Sequence, residues 1–139
     1  MKILLVVSSL TGNTKTFIDF IKRNTSKEVV VCDDFSVNPD DYDSVILGTY
    51  SWGGDGRVPR KLKKYIQENS ESLKRKNLFI YGSGNSIYPN FCGAVDRLTR
   101  YFLKYNTKII GNFKFEQRFD ESEFSEEELK ELKNKLQNL

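Results

Sequence analysis

Short apolar runs alternate with amphipathic stretches along the chain. Continuous runs at residues 3–7, 29–32, 45–47 and 78–81, and a fifth that starts at 109–110 and continues towards residue 115, predict five strands. The first four runs are continuous rather than alternating, which is typical of strands covered on both faces in a parallel sheet.

The stretches between these runs carry apolar residues at helical spacing. They predict helices over residues 14–23, 58–69 and 91–105. The clearest helix start is Ser125 followed by Glu128, the spacing of a capping box, which predicts one more helix at the end of the chain.

Alternating strands and helices indicate an α/β fold. We expect a single domain over residues 1–139, built on a doubly wound, five-stranded parallel sheet with helices on both faces. The exception is residues 33–44, between the second and third strands, which look too short for a full helix.

The amino-acid composition excludes several kinds of catalytic and metal-binding site. The chain contains no histidine, which excludes Ser-His-Asp and Cys-His nucleophile systems and HExxH zinc sites. Cys32 and Cys92 match no zinc or Cys-x-x-Cys pattern, and no apolar run approaches the roughly 18 residues of a membrane span. We therefore expect a cytoplasmic protein with reduced thiols, no bound metal and no membrane partner.

The net charge of +3 is unevenly distributed. Residues 57–76 contain eight basic and two acidic residues. Such a face can steer a nucleic acid or an acidic protein, although a solvated helix face explains it more simply. No nucleic-acid partner is expected.

In a parallel sheet, ligands bind beyond the carboxyl ends of the strands. The loop after the first strand, Ser8-Ser9-Leu10-Thr11-Gly12-Asn13-Thr14, combines hydroxyls, an amide and a glycine just before a helix, which suits a phosphate group. A simple turn that caps the helix is the alternative. Because Walker A and GxGxxG motifs are absent, the loop favours a monophosphate that is held rather than transferred.

Two aromatic residues fall in the other loops at this edge. Trp52 follows the third strand and Tyr88 follows the fourth, each near glycines. They are suited to form walls for a flat apolar ring, unless they fold back onto the domain.

Three motifs together resemble the flavodoxin family. Residues 9–14 resemble its phosphate loop [ST]-x-T-G-N-T, residues 48–53 its tryptophan loop, and residues 82–96 its second flavin loop and the following helix. The resemblance implies a sheet of order 2-1-3-4-5 that binds flavin mononucleotide (FMN) without a covalent link. It also implies redox proteins as partners, a reductase and an acceptor.

The resemblance also assigns roles to residues. Ser9, Thr11, Asn13 and Thr14 would hold the phosphate, and Trp52 and Tyr88 would enclose the flavin ring. The Gly53 carbonyl would accept the hydrogen of the reduced flavin N5, and no side chain would be catalytic. The full set of expected FMN-binding residues is Ser8, Ser9, Leu10, Thr11, Gly12, Asn13, Thr14, Thr49, Tyr50, Ser51, Trp52, Gly53, Gly54, Ser83, Gly84, Asn85, Tyr88, Phe91 and Cys92.

The chain departs from the flavodoxin pattern in two ways: it is net basic, and Asn85 stands where the family usually has Asp. Both remove negative charge near the flavin and are expected to raise the potential of its second one-electron step, from semiquinone to hydroquinone. A flavodoxin that carries single electrons is the first hypothesis. An activator of the manganese class Ib ribonucleotide reductase, similar to NrdI, is the second, with a reductase subunit as partner. A cofactor-free interaction module of the same fold is the third.

Overall fold

The computed structural model describes residues 2–51 and 54–139. Its centre is a five-stranded, wholly parallel sheet of order β2-β1-β3-β4-β5. The strands are β1 (Lys2–Val7), β2 (Glu28–Cys32), β3 (Ser44–Tyr50), β4 (Asn77–Gly84) and β5 (Lys108–Glu116). The predicted fold class and strand order are confirmed.

Within residues 2–51 and 54–139, five α-helices connect or flank the strands. They are α1 (Ile18–Arg23), α2 (Arg60–Glu68), α3 (Ser70–Leu73), α4 (Gly93–Leu103) and α5 (Glu126–Gln137). Short 3-10 helices occupy Asn13–Phe17, Pro39–Asp41 and Glu121–Glu123. The short turn at Pro39–Asp41 is the whole helical content between β2 and β3, in agreement with the short segment expected there.

Alternate residues of the inner strands supply two cores. Leu4 and Val6 of β1 face the core that α2 and α4 cover, whereas Ile3 and Leu5 face the one under α1 and α5. The continuous apolar runs therefore follow from burial on both faces. The edge strand β2 differs, because it has one neighbouring strand and Val31 remains 38% exposed.

An aromatic cluster fills the core under α1 and α5. The Phe17 ring is fully buried, and its centroid lies 4.7 Å from that of Phe119 and 4.9 Å from that of Tyr81. Phe113 and Phe115 of β5 pack against the same ring. This cluster joins the junction between the 3-10 helix Asn13–Phe17 and α1 to strands β4 and β5.

The start of α5 agrees with the predicted capping box. The Glu128 amide donates to Ser125 Oγ at 3.1 Å, and the Ser125 amide donates to Glu128 Oε1 at 3.0 Å. Both bonds satisfy amides that have no acceptor within the helix.

The ladder between β4 and β5 contains a one-residue irregularity. Leu78 pairs with Ile109, but the next residue, Phe79, pairs with Gly111, so Ile110 is an extra residue in β5. The register after this bulge brings Glu116 level with Gly84 at the end of β4.

Candidate functional site

The loop after β1 forms a tight turn at the carboxyl end of the sheet. Gly12 takes a left-handed conformation with φ of +90°, and its amide donates to Ser9 Oγ at 3.0 Å. Leu10 and Thr11 are exposed, and in the described chain their amides donate to no protein acceptor. Hydroxyls and free amides of this kind are the donors that a phosphate group requires.

Thr14 fixes this loop to β4. Its side chain is 1% exposed, and its hydroxyl forms a 3.0 Å hydrogen bond with the Ser83 hydroxyl. The buried Tyr81 hydroxyl donates to the Thr14 carbonyl oxygen at 2.8 Å. The position of the loop is therefore set by two polar contacts from β4, two strands away from β1, as well as by its own turn.

A cavity of about 490 Å³ opens beside this loop, at the carboxyl ends of the central strands. It brings together residues that lie far apart in the sequence, from the loops after β1, β3 and β4. The expected FMN-binding residues that line it are Leu10, Thr11, Asn13, Thr14, Tyr50, Ser51, Gly54, Ser83, Gly84, Asn85, Tyr88 and Cys92.

The other expected residues lie elsewhere. Ser8 and Ser9 line an adjacent groove, and Gly12, Thr49 and Phe91 line neither cavity. Thr49 is fully buried within β3, where its hydroxyl donates to the Tyr50 carbonyl oxygen at 2.6 Å. Trp52 and Gly53 lie outside the described residues.

Asn90 and Gln117 also line the cavity but were not expected from the sequence. Asn90 lies in the loop after β4, which the family motifs identify as a flavin-binding loop. Its side-chain amide was therefore recognisable from the sequence as a possible binding group. Gln117 follows β5, and only the register of the sheet brings it to the site: its amide donates to the Gly84 carbonyl oxygen at 2.8 Å.

The loop after β3 packs against the start of α4. Gly56 has φ of +73°, and a Cβ built there would lie 2.7 Å from the Gly93 Cα. Ser51 Oγ accepts a hydrogen bond from the Ala94 amide at 3.0 Å. Only a residue without a side chain allows the two backbones to approach this closely.

Tyr88 lies on the outer side of the cavity. Its side chain is 52% exposed, and a Cβ at Gly54 would be 3.9 Å from its ring. Asn90 Nδ2 donates to the Gly54 carbonyl oxygen at 3.4 Å, which links the loops that follow β3 and β4. An exposed aromatic face beside a cavity suits contact with a flat apolar ring.

Glu116 holds the loop after β4 from the end of β5. Both of its carboxylate oxygens accept from the Ser86 amide, at 3.1 and 3.2 Å. The expectation of little negative charge here was based on Asn85 and on the net basic charge of the chain. The fold adds a carboxylate beside Asn85, on a residue that is 30 positions from Ser86 in the sequence.

The cavity lining is neutral, since none of its described residues carries a charged side chain. No group of three or more potential metal ligands occurs in residues 2–51 and 54–139. No helix in these same ranges is long and apolar enough to cross a membrane. The described residues of the lining are suited to bind a ligand through hydrogen bonds and apolar contact.

Cys92 lies at the inner end of the cavity, immediately before α4. It is 1% exposed and adopts a left-handed φ of +51°. Burial raises the pKa of its thiol to about 12, and the nearby Lys114 ammonium lowers it only in part. The thiol is therefore protonated at neutral pH.

We expect Cys92 to resist alkylation in the folded protein. At pH 8 a pKa raised from 9.0 to about 12 reduces the thiolate fraction roughly a thousand-fold. Iodoacetamide labelling followed by peptide mass mapping, with the urea-unfolded chain as control, measures this protection. Equal labelling rates in the folded and unfolded states would contradict it.

The same pKa shift predicts that the free energy of unfolding falls as pH rises from about 9 towards 12, since the Cys92 thiol of the unfolded chain loses its proton first.

Known proteins are similar to this chain in sequence and in fold. Residues 5–123 match the family described as NrdI Flavodoxin like. The chain is 36% identical over 105 residues to a protein named probable flavodoxin 2 of Bacillus subtilis, covering 70% of this chain and 69% of that protein.

Solved structures show the same architecture. Oxidised flavodoxin 1 from Bacillus cereus superposes with a TM-score of 0.76 at 26% identity, over 98% of this chain and 97% of that one. A Fusobacterium nucleatum flavodoxin bound to flavin mononucleotide superposes with a TM-score of 0.65 at 16% identity, over 97% and 94% of the two chains. At 16% identity, the second similarity concerns the fold alone.

Proposed function

This chain belongs to the flavodoxin family, and on that premise we propose that it binds FMN without a covalent link and carries single electrons between redox proteins. Bound FMN supplies the electron chemistry, since its ring accepts and releases electrons one at a time. The protein supplies binding, orientation and partial exclusion of water.

The observation that carries this proposal is the neutral cavity beside the loop after β1. The hydroxyls and free amides of residues 9–14 would bind the FMN phosphate. Tyr88 would contact the flavin ring, and Trp52 stays a prediction for the opposite side. The backbone around Asn85 would meet the polar edge of the ring, as the family resemblance implies.

The chain needs no acid or base of its own for this role. Electron transfer through an exposed ring edge requires no proton-donating side chain, and neither the cavity lining nor the sequence contains histidine. What this chain contributes is a fixed phosphate loop, held by Thr14, and a loop after β4 held by Glu116.

Reductive titration under anaerobic conditions tests the proposal. The purified protein should be yellow, contain one FMN per chain and accept electrons in two separable one-electron steps, followed by absorbance. Thr14→Val removes the hydroxyl that contacts Ser83 while keeping the side-chain size, and should weaken FMN binding by about tenfold. A colourless protein that takes up no added FMN would leave only an interaction module of the same fold.

A second function is favoured by the match to the NrdI Flavodoxin like family. In that role the protein would activate the manganese class Ib ribonucleotide reductase, by delivering an oxidant made from oxygen at its flavin. A carrier accumulates the one-electron-reduced form during titration and serves a ferredoxin-type reductase. An activator instead forms a complex with the metal-containing reductase subunit, which analytical ultracentrifugation of the two proteins detects.

Glu116 offers a test of how the protein sets the flavin potential. Glu116→Gln keeps an oxygen that can accept from Ser86 but removes the negative charge, so reduction of the nearby ring should become easier. We expect the reduction potential of bound FMN to rise by tens of millivolts, where a tenfold change in the equilibrium corresponds to about 59 mV for one electron.

A matched variant separates local from general charge effects. Glu126→Gln removes the same charge from an exposed position in the first turn of α5. Its potential should equal that of the unmodified protein. If both variants shift the potential equally, Glu116 has no special position relative to the flavin.

A further inference from the structure

A continuous basic surface surrounds α2, next to the cavity. One groove of about 520 Å³ lies between α2 and α4, and a wider one of about 1170 Å³ lies between α2 and the loops after β1 and β2. We define the α2 surface by the basic residues that line these two grooves: Arg57, Arg60, Lys61, Lys63, Lys64, Arg97, Arg100 and Lys104.

Little within the chain neutralises this surface. Among the described residues, the basic residues of the α2 surface form one ion pair, between Arg57 and Asp55 at 3.0 Å. Both side chains of this pair are more than half exposed. Such an exposed pair contributes little stability. Two carboxylates line the wider groove: Asp33 pairs with Lys15 at 2.8 Å, and Asp34 accepts hydrogen bonds from the Ser36 amide and hydroxyl. They leave an excess of basic residues around the groove.

The charge arrangement is unfavourable for α2 itself. The helix begins at Arg60, has no acidic residue in its first turn and carries Lys61 there as well. Cations at a helix N-terminus oppose the helix dipole, and Arg60 and Lys64 form a like-charged pair at i,i+4. Lys64 and Glu68 are the one pair of opposite charges at i,i+4 in this helix. The cations in the first turn therefore cost α2 some stability, which interaction with an acidic molecule outside the chain would offset.

The grooves also have the composition of a protein interface. Val58 and Leu98 form an apolar floor beneath the basic residues, four of which are Arg, a residue enriched in protein interfaces. Leu10 and Tyr50 line both the wider groove and the proposed FMN-binding cavity beside the loop after β1. Leu10 is 65% exposed, at the boundary between the groove and the cavity. A molecule seated on the α2 surface would therefore contact the mouth of that cavity.

We infer that the α2 surface is the docking site for an acidic face of a redox partner protein. This inference rests on the proposed function, because docking beside the cavity matters only if electrons leave from it. Complementary charge would orient the acidic partner with its redox group at the cavity mouth and accelerate encounter. Nucleic acid is the competing occupant of such a surface, and the experiment includes it.

Charge reversal on α2 tests the inference. The probe is rubredoxin, an acidic iron protein: one electron leaves the dithionite-reduced holoprotein and converts rubredoxin Fe(III) to Fe(II), which stopped-flow absorbance follows. Lys61→Glu/Lys64→Glu alters two exposed side chains of α2. At low salt we expect its rate with rubredoxin to fall by about tenfold. The difference should disappear at high salt.

The matched control is Lys22→Glu/Lys130→Glu. It makes the same change in net charge at exposed positions of α1 and α5, which cover the opposite face of the sheet. Its rubredoxin rate should change less than twofold. With basic cytochrome c as acceptor, the α2 variant should react faster than the unmodified protein.

Binding gives a second readout that does not depend on electron transfer. Titrating ¹⁵N-labelled holoprotein with rubredoxin should shift amide resonances of α2 and of Leu10, and leave those of α5 in place. Equal rate losses in the two double variants, or shifts spread over α5, would overturn the inference. So would α2-dependent binding of a fluorescent DNA duplex without any effect on rubredoxin.

FMN content and reducibility are measured first for every variant. A protein that holds no reducible flavin fails the proposed function. A protein that holds it, yet reduces rubredoxin at a rate independent of the α2 charges, overturns the docking surface alone.

Discussion

Replacing Phe17 by alanine should lower the free energy of unfolding by about 4 kcal/mol, the largest effect on stability that we expect from a single substitution here. Its ring is fully buried and contacts Phe20, Tyr81 and Phe119. The cavity left behind would be lined by rigid rings that cannot collapse into it. For a domain with a typical stability of about 5–15 kcal/mol, such a loss brings the protein close to unfolding.

Urea unfolding followed by circular dichroism measures this change. Leu103→Ala is the control, because Leu103 is 56% exposed at the end of α4 and should cost no more than about 0.5 kcal/mol. Phe17→Leu should fall between the two. A Phe17→Ala loss as small as that of the control would show that the aromatic cluster does not support the fold.

The second large effect is expected from Gly56→Ala, at about 3 kcal/mol. The new Cβ would lie 2.7 Å from the Gly93 Cα, and φ of +73° is itself unfavourable for alanine. The contacted atom belongs to the backbone at the start of α4, so it cannot move aside as a flexible side chain would. The loop after β3 should separate from α4, and FMN affinity should fall along with stability.

Gly12→Ala separates the two causes. Gly12 has φ of +90°, but a Cβ at this position would have no atom within 4 Å, so the substitution reports backbone strain without a steric clash. We expect a loss of only about 1 kcal/mol there. Comparable losses at both positions in urea unfolding would mean that the close approach of Gly56 to Gly93 contributes nothing.

The sequence was a good guide to the elements that depend on apolar patterning. The runs at 3–7 and 78–81 lie within β1 and β4, because residues buried on both faces leave a continuous apolar signal. Ser125 and Glu128 marked the start of α5, since a capping box is a local interaction between residues three apart.

The sequence was a poor guide to the residues at which the strands end. Gly82-Ser83-Gly84 was expected to be loop but completes β4, pairing with both β3 and β5. Glycine and serine have weak strand preferences by themselves, and here the two neighbouring ladders supply the hydrogen bonds. The consequence is functional, because the Ser83 hydroxyl is placed against Thr14 by the strand rather than by a loop.

The candidate site residues that belong to a sequence motif were predictable. Those that reach the site only through the pairing of the strands were not. The loops around Thr14 and Tyr88 could be identified from composition and family resemblance. Glu116 and Gln117 could not, because nothing near them in the sequence indicates that they reach the loop after β4. Long-range pairing decides their positions, and a single sequence does not encode it in any local pattern.

The length of β5 after its bulge matters more than most of its exposed side chains. Ile110 is the extra residue of the bulge, so its removal would leave each later residue opposite its present partner in β4. Removing Asn112 instead would shift every later residue by one position, turn Phe113 away from Phe17 and withdraw Glu116 from Ser86. An exposed position on the same strand, such as Asn112, can accept many amino acids. After the bulge, β5 should therefore tolerate substitutions at exposed positions but not deletions. A deletion at Asn112, about 13 Å along the strand from Glu116 at about 3.3 Å per residue, would disable the cavity as surely as a change within it.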